Sequence, residues 1–236
     1  MHKKEILLFI PTLNEEKYIK IILEKLEKYS ESFDVLIIDD NSSDNTVKNF
    51  NNHKGNLNKS IIIRKNKLGI GSAHLDGIKY AKNNNYKFLL TMDCDLCHDP
   101  KYISIFLKLY KEYDFLIGSR YKLSSSLDEW SFFRRILTYL RHYICVIFLN
   151  IEFDASTGFR MYKLECFKND FFDFIDSEDY SFFIQSGFYI KRKQMKVMEI
   201  PVNMPKRRYG DSKLKMKHII TALILVFRLW LIRLIK

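Results

Sequence analysis

Five short apolar runs, each closed by polar residues, recur through the first half of this 236-residue chain. They span Glu5–Ile10, Asp34–Ile38, Ser60–Arg64, Lys87–Met92 and Phe115–Ser119. Runs of that length, bounded by turn residues, predict buried strands. Between the first two, Ile19, Ile22, Leu23 and Leu26 fall at helical spacing and make one buried stripe. Ile103, Phe106, Leu107 and Tyr110 repeat the pattern in a helix that Asp99 opens as N-cap, with Pro100 at its first position. Strands alternating with amphipathic helices predict an α/β fold, a mostly parallel sheet flanked by helices. The length suits one sizeable domain and no Pro/Gly/Ser-rich linker divides it, so we expect one domain over residues 1–213 and a tail over 214–236.

Ligands of open α/β sheets bind beyond the carboxyl ends of the strands, and the polar clusters gather there. The first run ends in PTLNEE, the second in DDNSSDNT, the fourth in DCD and the fifth in GSRY. The sharpest cluster is KFLLTMDCDLCHDP, where an apolar strand gives way to Asp93 and Asp95, one residue apart. Alternate residues of a strand share a face, so these carboxylates can converge on one point, where a hard divalent cation is the natural occupant. Such a cation could hold a nucleotide diphosphate and neutralise charge developing on it as a bond to a phosphate oxygen breaks, which is the chemistry of a nucleotide-sugar transferase. Asp39 and Asp40 stand where carboxylates can accept hydrogen bonds from ribose hydroxyls or a base N–H, although acids at that place often only cap a helix.

Competing readings of these motifs are weaker. KLGIGSAHLDG has Gly69 and Gly71 but His74 in place of a third glycine, and it follows the third run instead of the first, which argues against a dinucleotide fingerprint. Cys94 and Cys97 form a CxxC with no second CxxC or His pair to complete a zinc site, and His98 reads as structural. Phosphatases of the haloacid dehalogenase type also carry a DxD, but after the first strand, where this chain has PTLNEE. The four cysteines are too few and scattered for a disulfide scaffold, and MHKKEILLFIP leads into strand and loop signals instead of a cleavage site. Both features favour a cytoplasmic protein.

The formal net charge is +11, but nine Lys or Arg residues against the single acid Asp211 between positions 206 and 236 supply eight of those charges. The rest is near balance and has no basic stripe with interleaved aromatics, so nucleic acid is not an expected partner. Within the tail, the seventeen residues from Ile219 to Ile235 are apolar except for Thr221, Arg228 and Arg233. That is the lower limit for a spanning helix, and Arg228 near its middle would cost roughly 2.5 to 3.5 kcal/mol. We therefore expect a helix lying on an anionic membrane surface instead of a span, the alternative being a tail packed on the domain or on a second subunit.

After Trp130, Arg134, Thr138 and Arg141 recur at i, i+4 and i+7 on an otherwise apolar helix. Two guanidiniums and a hydroxyl on one face suit a phosphate at an apolar surface, and an ordinary solvated face is the competing reading. KRRYGDSK puts Arg207, Arg208 and Lys213 around a turn that could close on a diphosphate.

In order, PTLNE, DDNSSD, KLGIGSAHLDGI, MDCDLCHDP, GSRY, the pair Arg134 and Thr138, TGFRMY and RRYGDSK resemble glycosyltransferase family 2, and within it the polyprenyl-phosphate (dolichol-phosphate) mannose synthases. The resemblance runs from about Ile6 to Lys213. It implies a GT-A fold that binds a nucleotide-sugar donor with Mg²⁺ or Mn²⁺ and moves the sugar, with inversion, onto a polyprenyl phosphate; mannose from GDP-mannose is the leading expectation. By the same resemblance, Pro11, Glu15 and Asp40 contact the nucleoside with Asp39 beside them, and Asp93 and Asp95 hold metal and diphosphate. Arg120, Arg207 and Lys213 meet donor or acceptor phosphates, Arg134 and Thr138 engage the lipid phosphate, and Asp95, Arg120 and Arg134 carry the catalysis. Such an acceptor is already an anion and needs no base, so catalysis falls to positioning and charge neutralisation.

Three departures stand out. Phe183 and Gln185 occupy positions where the family commonly has Gln and Glu, Cys97 replaces a polar residue that can be a third metal ligand, and Leu13 stands where an aromatic is usual near the base. They leave open a UDP-glucose-dependent or lipid-linked-glycan transferase, and a degenerate protein that binds nucleotide sugar without turnover.

Overall fold

All five apolar runs are strands in the computed structural model, which describes residues 4–207 and 216–235. They are β1 (Ile6–Thr12), β2 (Asp34–Asp39), β3 (Lys59–Ile63), β4 (Phe88–Thr91) and β5 (Phe115–Ser119). Two further strands, β6 (Arg160–Lys163) and β7 (Val197–Pro201), complete a seven-stranded sheet in the order β3-β2-β1-β4-β6-β5-β7. Strand β6 alone runs antiparallel to its neighbours, β4 and β5; the other pairings are parallel. The helices are α1 (Glu16–Leu26), α2 (Thr46–Asn52), α3 (Ile70–Asn83), α4 (Ile103–Leu109), α5 (Phe132–Leu149), α6 (Asn169–Phe174), α7 (Ser181–Arg192) and α8 (Met216–Ile235).

Alternation along β1 divides the core in two. Leu7 and Phe9 face the layer that holds α3, α7 and the inner face of α8, while Ile6, Leu8 and Ile10 face the layer that holds α1 and α4. The stripe Ile19, Ile22, Leu23 and Leu26 is fully buried there, as its spacing predicts. Asp99 accepts from the Lys101 N–H at 3.0 Å, but the chain first makes a 3₁₀ turn over Pro100–Tyr102 before α4 begins.

Strand β4 closes at Thr91, one residue short of expectation, and the difference matters. Asp93 and Asp95 lie in the loop beyond it, so strand alternation does not place them; the loop does, turning at Leu96 with φ +61°.

Helix α8 is amphipathic in its contacts. Leu225, Val226 and Leu229 are buried against the domain, whereas Ile220, Leu223, Ile224, Phe227 and Leu234 are exposed. It packs beside α5: the Phe148 and Trp230 rings meet edge to face at 5.9 Å, and Arg233 donates to the Ile147 and Phe148 carbonyls at 3.2 and 2.9 Å. Arg228 makes two hydrogen bonds to Asp176, at 2.7 and 2.8 Å, and so ties the middle of the helix to the domain. By length and composition His218–Ile235 is apolar enough to cross a membrane. Helix α5 likewise turns Phe132, Phe133, Leu140, Tyr143 and Ile147 to the outside.

Candidate active site

A cavity of about 220 Å³ opens at the carboxyl ends of β1, β2 and β4, lined by Pro11, Leu13, Glu15, Asp40, Asp93, Asp95 and Arg207 with Lys67, Asp179, Tyr180 and His218. The loops that build its floor are knitted together by their own polar side chains. Thr12 Oγ1 donates to Asp39 at 2.8 Å, Ser42 donates to the same carboxylate through N–H and hydroxyl at 2.7 and 2.6 Å, and the Glu15 N–H donates to Thr46 Oγ1 at 2.7 Å. Asp39 is therefore fully buried in a scaffold role and does not line the cavity. Asp40 does, while its carboxylate also accepts from the Leu68 and Gly69 N–H groups at 2.8 and 2.9 Å and from Arg64 at 3.2 Å. Gly69 stands at φ +97°, a conformation that only glycine adopts without strain, and this lets the chain enter α3 beside the cavity.

The loop carrying the paired acids is held by His98. Its Nδ1 accepts the Asp93 N–H at 2.9 Å, which leaves the ring proton on Nε2, 3.3 Å from Thr157 Oγ1. The ring stacks on Phe159 at 5.2 Å, so His98 ties the acid-bearing loop to the core. Gly158 faces Asp93: a Cβ there would stand 3.0 Å from the carboxylate. Asp95 accepts from the Cys97 N–H at 3.1 Å and lies 3.7 Å from the Arg207 guanidinium, which also bonds Glu15 at 2.6 Å. Burial, then Asp95 and Asp93, push the Cys97 thiol far above its ordinary pKa, so it stays protonated at neutral pH. Burial and the same two acids push Tyr180 up to about 12.

An oxygen-only pair of carboxylates at a cavity wall fits a hard divalent ion. Among the described residues no third His, Cys, Asp or Glu joins them, so an ion there would complete its shell with diphosphate oxygens and water.

Beside the cavity lies a second cluster of cations. Arg120 is 7 % exposed and donates through Nε to Asp154 at 2.8 Å, with its backbone N–H on the same carboxylate at 3.2 Å. Asp154 is fully buried and also accepts from the Ser156 N–H and hydroxyl at 3.1 and 2.8 Å. Burial works against both charges, yet each overcomes it through the other: Arg120 is held above its ordinary pKa and Asp154 below. Arg134 lies 3.7 Å above the Trp130 ring, and the indole N–H is fixed on the Met204 carbonyl at 2.8 Å. Along the stripe Arg134, Thr138 and Arg141, Arg134 is exposed, Thr138 is buried, and the half-buried Arg141 donates to Ser156 at 2.7 Å, so the stripe runs from the surface inward and is not an ordinary solvated face. Burial lowers the Arg134 pKa, with Asp95 among the groups that oppose the shift, which places the two clusters within electrostatic reach.

The structure thus gathers Pro11, Glu15, Asp40, Asp93, Asp95 and Arg207 around one cavity and sets Arg120, Arg134 and Thr138 next to it; Arg208 and Lys213 lie outside the described residues. The sequence reading missed Asp154, Asp179 and Tyr180. An acid between Phe153 and the small residues before TGFR was the only signal for Asp154. Gln185 points away from the cavity: its amide accepts from the Asp176 and Ser177 N–H groups and donates to the Phe174 carbonyl and the Asp176 carboxylate. Its departure from the family pattern serves a loop.

The family described as Glycosyl transferase family 2 matches residues 8–171. An undecaprenyl-phosphate mannosyltransferase of Micrococcus luteus is 26% identical over 211 residues, 89% of this chain and 87% of that protein. A polyprenol monophosphomannose synthase of Mycolicibacterium smegmatis is 27% identical over 229 residues, 92% of this chain and 83% of that protein. Among solved structures, glucosyl-3-phosphoglycerate synthase of Mycobacterium tuberculosis, crystallised with Mn²⁺, uridine diphosphate and glucosyl-3-phosphoglycerate, matches with a TM-score of 0.63 at 14% identity, over 98% of this chain and 80% of that one. That likeness shows the shared fold, of the GT-A kind.

Proposed function

Because the chain belongs to glycosyl transferase family 2, we propose that it moves a sugar from a metal-bound nucleotide diphosphate onto a polyprenyl phosphate at a membrane surface, with GDP-mannose the leading donor. The observation that carries the reading is the adjacency of an acid-lined cavity to a cluster of cations on a helix whose outer face is apolar. Two relatives named for polyprenyl-phosphate mannosyl transfer support the acceptor class.

In this reading the nucleoside lies over Pro11, Leu13 and Asp40, with the diphosphate toward Asp93, Asp95 and Arg207. Asp93 and Asp95 would hold a divalent ion, which when bound would neutralise charge on the diphosphate as it departs. Arg120, Arg134 and Thr138 hold the acceptor phosphate, and Asp154 keeps the Arg120 fork aimed. A phosphate oxygen attacks the anomeric carbon on the face opposite the diphosphate. The bond from that carbon to the diphosphate oxygen breaks, its electron pair leaves on that oxygen, and the configuration inverts. No proton has to be removed, which suits a site where Gln185 replaces an acid and turns away.

The exposed apolar faces of α5 and α8 support a peripheral seat on a bilayer, and the net positive charge of the tail sequence favours an anionic one. Four free thiols and the basic tail favour the cytoplasmic face. The test is transfer to a short polyprenyl phosphate from a panel of GDP- and UDP-sugars with Mn²⁺ or Mg²⁺, comparing wild type with Asp95→Ala. Equal background activity in both with every donor would reduce the protein to a binding role.

A further inference from the structure

The stretch 176–180, between α6 and α7, walls the cavity through Asp179 and Tyr180. It is pressed against the start of α3: the Ser72 N–H donates to the Glu178 carbonyl at 3.2 Å, and a Cβ at Gly71 would stand 2.6 Å from the Ser177 and Asp179 carbonyl oxygens. From within, the Gln185 amide binds Asp176 and Ser177 at its start with hydrogen bonds of 2.9 to 3.2 Å. From outside, α8 reaches it twice, through Arg228 on Asp176 at 2.7 and 2.8 Å and through the His218 ring 5.3 Å from the Tyr180 ring. Between the stretch and α8 remains a gap of about 460 Å³, lined by Ser177, Glu178, Thr221 and Leu225, which the ion pair bridges. Helix α8, with its outward apolar face, is thereby fastened to a wall of the cavity at a point where packing is incomplete.

We propose that Asp176 and Arg228 are positioning residues of the donor site: they transmit the seating of α8 on a lipid surface to the Asp179–Tyr180 wall, so nucleotide affinity depends on the pair and rises when α8 meets lipid. The inference takes its donor class from the function proposed above and adds the dependence on α8. The Arg228 and Asp176 side chains are 47% and 59% exposed, and a pair so exposed is weak in water. Ile224 and Phe227, its neighbours on α8, are exposed as well, and a bilayer that covers them removes water from around the pair and strengthens its attraction.

The test is calorimetric binding of GDP and of UDP, each with Mn²⁺, to the full chain, with and without vesicles of phosphatidylcholine and phosphatidylglycerol. Wild type should bind its preferred nucleotide more tightly on vesicles. Arg228→Ala should weaken binding about threefold in solution and about tenfold on vesicles, while Arg228→Lys, which keeps the charge, restores most of it. In turnover, Arg228→Ala should raise the donor KM and leave kcat within about twofold. Wild-type affinity of Arg228→Ala on vesicles, or Arg228→Lys as weak as Arg228→Ala, would overturn the inference, since neither fits a charge-dependent link. If wild type binds a nucleotide but transfers no sugar to polyprenyl phosphate, the acceptor reading fails and this inference is still decided by the binding data. If wild type binds neither nucleotide, the donor reading and this inference fall together.

Discussion

The edge of the sheet and the α5–α8 surface are built on opposite principles. At the ends of β1 and β2 the polar side chains are spent on one another: Thr12 and Ser42 on Asp39, Thr46 under the Glu15 N–H, and the Ser43 N–H on Asn14 at 2.9 Å. Along α5 and α8, by contrast, Phe132, Phe133, Ile147, Ile224 and Ile235 are each at least 65 % exposed. A surface that recognises a small charged ligand must hold its dipoles in place before the ligand arrives. A surface that meets a fluid layer needs apolar area more than fixed geometry. Arg120, Arg134 and Thr138 lie on the seam between the two, held by the first kind of structure and presented by the second.

The contrast breaks most sharply at the rigid edge. Asp95→Ala should lower sugar transfer about 10³-fold, roughly 4 kcal/mol of barrier, with little change in melting temperature, as steady-state kinetics and thermal unfolding can check. Asp154→Asn should raise the acceptor KM about 10- to 100-fold and leave the donor KM unchanged; it also strips a buried guanidinium of its counter-charge, so a stability loss of about 3 kcal/mol should accompany it. Equal effects on both substrates would place Asp154 in general folding and remove it from the acceptor site. On the apolar side, Phe133→Ser with Ile224→Ser should reduce vesicle co-sedimentation about tenfold without destabilising the protein, since each side chain is already in water. Unchanged sedimentation would detach the α5–α8 surface from any bilayer.

The smallest effect belongs to the core. His74 is fully buried among Phe9, Phe182 and Phe183, with ring centroids at 5.2, 5.2 and 4.9 Å. Burial, then the neighbouring Arg160 and His98, hold its pKa well below the ordinary 6.5. Above pH 6.5 both folded and unfolded chains keep it neutral and its contribution is intact. As pH falls below that value the unfolded chain takes up a proton that the fold refuses, and stability drops by up to about 1.4 kcal/mol per pH unit. Denaturant unfolding between pH 7 and 5 should show this slope in wild type and a flatter one in His74→Leu.

Strand β5 was legible residue for residue, because an apolar run between polar boundaries has one meaning when both faces are covered. Strand β6 was not legible, and Arg160 is the reason. A charge in a four-residue segment reads as loop, yet the fold buries it completely by giving its guanidinium the Thr157, Ala155 and Phe183 carbonyls and the Ser186 hydroxyl. Two of those partners, Phe183 and Ser186, come from α7, more than twenty residues away, and leave no trace near the strand. The paired acids were legible as a cluster at the sheet edge and misread as geometry, since their place on the cavity wall rests on His98, Gly158 and the turn at Leu96 instead of on strand alternation. Asp39 and Asp40 show the same limit: adjacent in sequence, one is scaffold and the other faces the cavity.

Helix α5 carries cations on one side and bare hydrocarbon on the other, and a helix is only about 10–12 Å across. On the proposed reading, that diameter is the distance a lipid's phosphate must climb from the greasy layer to be received. The isoprenoid portion below can stay dissolved among its neighbours, out of reach of every side chain that judges the substrate. Such an enzyme would be blind to how many prenyl units follow the first few, and long and short carriers should be glycosylated at the same rate.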